Sequence, residues 1–119
     1  MPYARVLPIR PGKTKQCQQF IADLTSTHAT KFAESQQAEG ITEEHFFLQA
    51  DAKGDVLIVY NNGDPIKREH MRQVRAGSDD PFDVWFREQF REVHGIALDH
   101  PTEGGARIEH LASWEDHNR

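Results

Sequence analysis

Cysteine is almost missing from this chain: Cys17 is the only one in 119 residues, which excludes an internal disulfide and any metal site built on cysteine pairs. Long apolar runs are missing too. No stretch approaches the ~20 residues a membrane-spanning helix needs, and the amino-terminal MPYARVLPIRPGK has no extended apolar segment of the secretory kind. Together these absences predict a cytoplasmic protein with no membrane partner. Positive charge is in deficit, with 14 Lys and Arg against 19 Asp and Glu and a net charge of −5. That field has the wrong sign for nucleic acid, so no nucleic-acid partner is expected. There is no glycine-rich phosphate loop, no nucleophile elbow and no Cys/His nucleophile arrangement. The seven histidines, His28, His45, His70, His94, His100, His110 and His117, never fall two or four apart, so no metal site is expected either.

What is present patterns clearly. A hydrophobic share of 37 % over this length allows one core and one domain, spanning residues 1–119. The strongest segment is Ser78 to Gly95, in which Phe82, Trp85, Phe86, Phe90 and Val93 recur at i, i+3, i+4, i+8 and i+11, one face of a helix. Asp80 reads as its N-cap, Pro81 as its first helical residue and Gly95 as its left-handed stop. Ser78-Asp79-Asp80 is better explained by this cap than by a carboxylate pair facing a cleft.

Upstream, Tyr3 to Ile9 is rich in strand formers and ends at Pro11-Gly12. Cys17, Phe20, Ile21, Leu24, His28 and Phe32 then share one helical face from about Lys13 to near Ala38. A bend is expected between Thr25 and Thr30, where Thr and Ser compete for backbone bonds, and Gly40 ends the pattern. Thr42 to Ala50 and Asp55 to Asn61 read as an antiparallel hairpin around Asp51-Ala52-Lys53-Gly54. In the second of these strands both alternating faces are apolar, so both sides need cover. Asp64-Pro65 caps a helix running to about Ala76. Gly95 to Ala106 reads as a loop, Arg107 to Trp114 alternates as an edge strand, and Glu115 to Arg119 as a frayed tail.

The order predicts an α+β, ferredoxin-like split βαβ fold with a four-stranded antiparallel sheet, helices on one face and an extra helix before the last strand. The first and third strands are expected to be central. The uncovered apolar face then calls for a second copy, and a homodimer through that face is expected.

With strand, Pro-Gly, helix, hairpin and aromatic helix in place, the chain resembles the dimeric α+β barrel superfamily. Within it, Leu7-Pro8-Ile9-Arg10-Pro11-Gly12-Lys13, Phe47-Leu48-Gln49 and Ser78 to Phe82 with Asp83, Trp85, His94 and Gly95 look like a small bacterial family of unknown function. The likeness covers nearly the whole chain and implies a dimeric barrel fold, but no reaction. A more distant likeness is to the L-rhamnose mutarotases, through Ser78, Asp79, Trp85 and Phe86. Cys17 and Ile21 stand where that family has its catalytic Tyr and His, and neither exchanges the protons that anomer interconversion requires, so the activity is not carried over.

The superfamily resemblance implies a pocket for small hydrophobic ligands between sheet and helices. The candidate catalytic residues are His28, on the inward face of the long helix, and His110, on the last strand. Tyr60, Trp85 and Arg5 are the candidate ligand-binding residues: two rings able to line the pocket, and a guanidinium on a strand that should meet a carboxylate or a ligand anion. The reading that follows is a cofactor-independent enzyme or binding protein for a small metabolite. The alternative is a non-catalytic self-association or protein-interaction module.

Overall fold

The computed structural model describes residues 1–98 and 108–116. Three strands and four helices are present among them: β1 (Pro2–Pro8), α1 (Thr14–Leu24), α2 (Ala29–Ala38), β2 (Glu43–Gln49), β3 (Val56–Asn62), α3 (Pro65–Ala76) and α4 (Pro81–His94).

Local chemistry accounts for most of the boundaries. The helical pattern from Lys13 to Ala38 breaks where a bend is expected, and it yields two helices rather than one. Thr25 Oγ1 donates to the Ile21 carbonyl at 2.9 Å and Ser26 Oγ to that of Ala22 at 2.6 Å, so both hydroxyls occupy acceptors four residues back. Asp64 caps α3 by accepting from the Ile66 and Lys67 amides at 2.9 and 3.2 Å. Asp80 caps α4 through the Phe82 amide at 3.0 Å, with Asp83 in the first turn, where the helix dipole favours an anion. At the other end of α4, Gly95 takes φ 70°, and its amide closes on the Arg91 carbonyl at 2.8 Å.

The sheet is antiparallel throughout in the order β1-β3-β2. Its register aligns Leu7 with Leu57 and Leu48, and Arg5 with Val59 and Phe46, on one face. That face meets the helices. Leu7, Ile9, Leu57 and Val59 join Cys17 and Phe20 of α1 and Phe90 and Val93 of α4 in the core, with Ile21, Phe46, Trp85, Phe86, Ile96 and Leu98 against it. The other face carries the row Val6, Ile58, Phe47 and the row Ala4, Tyr60, His45.

One expectation of the sequence fails here: the sheet has three strands, not four, although the α+β class holds. Residues 108–116 form neither strand nor helix and are exposed throughout, while Arg107, His100 and most of the expected loop lie outside the described residues. Alternation reports which side chains a strand would bury, but a strand exists only where its backbone groups find a ladder. The segment makes no such ladder, so β1, expected to be central, is an edge.

Candidate functional site

The five residues singled out by sequence do not gather around one cavity. His28 and Trp85 do meet, with ring centroids 3.9 Å apart, because the break after α1 brings His28 over the first turns of α4. Trp85 also contacts Phe20 edge to face at 5.4 Å, and Phe20 meets Phe86 in the same way at 5.3 Å. The indole thus stands against a wall of rings. Tyr60 lies on the opposite face of the sheet, its ring 6.1 Å from that of His45. His110 is exposed and bonds Ser113 Oγ within its own segment at 2.9 Å.

Arg5 is on the helix side of β1 with its guanidinium 5.6 Å from the centre of the Phe90 ring. Besides this ring contact, its charge reaches the Glu44 carboxylate. Next to Phe90, at 4.7 Å between rings, is His94. Its Nδ1–H donates to the Pro8 carbonyl at 2.7 Å, and its Nε2 is buried with no partner among the described residues. Burial lowers its pKa from the ordinary 6.5, with the positive Arg5 adding to that and the Pro8 bond opposing it. His94 is therefore held as a neutral imidazole.

A polar cluster that sequence reasoning missed sits at the other end of the same face. Asn61, 4 % exposed, donates to Glu44 at 2.9 Å and accepts from Arg68 of α3 at 3.2 Å. The Arg68 guanidinium lies 4.2 Å over the Tyr3 ring. Burial raises the pKa of Glu44 against the opposing hydrogen bonds from Asn61 and Gln36 and the charges of Arg68 and Arg5. Further along α3, Arg75 bonds Glu39 at 2.9 Å and the Ser35 carbonyl at 3.0 Å, and Arg87 of α4 donates to the Arg75 and Ser78 carbonyls at 2.7 Å each. Helix α3 has no fully buried residue, so these bonds account for its attachment. The cluster thus reads as a structural latch. Its signal in the sequence was Glu44 alternating with Phe46 and Leu48 on a helix-facing strand side, opposite Arg68 and Arg75 seven residues apart on one helical face.

Two hollows border the helices. One, about 200 Å³, is lined by Cys17, Gln18, Ile21, Phe46, Leu48 and Leu57 and is almost wholly apolar. Burial pushes the Cys17 thiol up, so it stays protonated and unreactive. The other, about 210 Å³, lies between α2, α3 and α4 beside Ser35, Arg75 and Asp83. Both are smaller than the 300–1,000 Å³ usual for ligand pockets. Among the described residues no three His, Cys, Asp or Glu side chains gather as metal ligands, and no helix is long and apolar enough to cross a membrane.

Among the described residues the other face of the sheet is left without a covering element. Val6 is 51 % exposed and Phe47 54 %, with Ile58 and Tyr60 partly buried between and beside them. No family model, curated protein or solved structure matches the chain.

Proposed function

We propose that this chain is a self-associating module whose open sheet face pairs with the same face of a second copy. The observation that carries this reading is the cross-strand row Val6, Ile58, Phe47, an apolar stripe beside which His45 pairs with Glu43 at 3.1 Å and the amino terminus bonds Asn62 at 2.6 Å. Each such side chain, fully buried, is worth ~1.5–3 kcal/mol, and two copies about a two-fold axis supply the row twice. Facing sheets ~10 Å apart interdigitate these residues.

Light scattering at micromolar concentration tests it: twice the 13.7 kDa of one chain is expected, and a monomer overturns the reading. A second reading, binding of a small apolar metabolite without a cofactor, is favoured by the groove beside Cys17. A metabolite screen by thermal shift separates the two, since a true ligand at 100 times its Kd adds ~2.7 kcal/mol to stability.

A further inference from the structure

We propose that Ile108 to Trp114 of one copy docks along the free edge of β1 in a second copy, so that the two copies exchange carboxyl-terminal arms. This rests on the self-association reading and adds to it the element that embraces the partner.

Three independent features point the same way. The segment is apolar and uncovered: Ile108 is 50 % exposed, Leu111 86 % and Trp114 84 %, far beyond what single surface hydrophobics require. Meanwhile, among the described residues, β1 pairs only with β3, and its outer edge there is open to an added strand. Both surfaces belong to one molecule, yet they do not meet within it.

Charge selects which edge is used. Residues 1–13 contain Arg5, Arg10 and Lys13 and no acid, whereas residues 108–116 contain Glu109, Glu115 and Asp116 and no Lys or Arg. β2 instead carries Glu43 and Glu44, with Asp51 just beyond its end, and would repel the same segment.

Alternation then satisfies both faces at once. With Ile108, Ala112 and Trp114 extending the open apolar face beside Ala4 and Val6, the intervening Glu109 and Leu111 turn to the helix side. There they meet Leu7 and Arg5, whose guanidinium lies over the Phe90 ring.

The test uses the full chain with Leu111→p-benzoylphenylalanine, mixed as 14N- and 15N-labelled protein, exchanged and photolysed. Cross-linked peptides of mixed isotope joining position 111 to residues 2–8 are expected. Glu109→Arg should raise the dimer dissociation constant about tenfold, and an unchanged constant overturns the proposal. So do cross-links within one isotope, cross-links to β2 or none at all in a protein that is still a dimer; those results leave the face pairing standing. A parent protein that is monomeric overturns both readings.

Discussion

The imidazole of His28 lies against the indole of Trp85 with centroids 3.9 Å apart and planes 28° from parallel. Neither ring belongs to the same element: His28 stands at the head of α2 and Trp85 in the second turn of α4. Their contact closes the space in which the sequence placed a pocket lining, and it makes the aromatic face of α4 a wall.

Trp85→Ala should destabilise the protein by about 3 kcal/mol, since it removes the stack on His28 and the edge contact with Phe20 together. His28→Ala should cost less, about 1 kcal/mol, because it removes a smaller ring that stacks on Trp85 and meets Phe82 at 5.9 Å. Chemical denaturation of both variants checks the ranking, and equal losses would show that His28 has a further role.

Phe47→Asp should abolish the dimer at micromolar concentration while leaving the fold of one copy intact, because the side chain is already 54 % exposed. Sedimentation and circular dichroism report the two effects separately. Loss of secondary structure along with the mass change would contradict it.

Glu44 carries a pH signature. Its folded pKa lies above the ordinary 4.5 because burial disfavours the anion, so just above pH 4.5 the folded state binds more protons than the unfolded. Stability therefore falls as pH rises through that window and is flat beyond it. Glu44→Gln should lessen this slope, measured by urea midpoints across the acid range.

His94 acts in the opposite sense. Its folded pKa lies below the ordinary 6.5, so the unfolded state binds more protons just below pH 6.5, and stability is lost as pH falls through that window. His94→Gln, which can still donate to the Pro8 carbonyl, should remove this acid loss. Persistence of the full loss would mean that another group carries it.

Gly95→Ala should cost about 1–2 kcal/mol. The position has φ 70°, which an L side chain rarely adopts, and the new Cβ would stand 3.3 Å from Arg10 Cδ. A thermal melt suffices to test it.

Much of this fold was legible residue by residue. Asp64, Asp80 and Gly95 mark helix ends by the bonds their own side chains and backbones make, and the hairpin follows from Asp51, whose side chain accepts from the Lys53 amide at 2.9 Å. The apolar stripe of α1 and the rings of α4 met as their spacing implied. The candidate site was far less legible. Tyr60 and Arg5 both alternate correctly, yet parity along a strand does not say which face the helices cover, and they ended on opposite sides. The role of His94 is not legible locally, because its ring bonds the carbonyl of Pro8, 86 residues away.

By itself the sequence determined the strands and helices up to Gly95, the caps of α3 and α4, the α+β class and an apolar core, because most of these rest on interactions within a few residues. Tertiary structure alone decided that the sheet stops at three strands, that His28 meets Trp85 while Tyr60 faces away, that Glu44, Asn61 and Arg68 form one network, and that an apolar face and an apolar segment both stay uncovered. Those outcomes depend on which distant backbone and side-chain groups find each other, and local pattern carries no record of that.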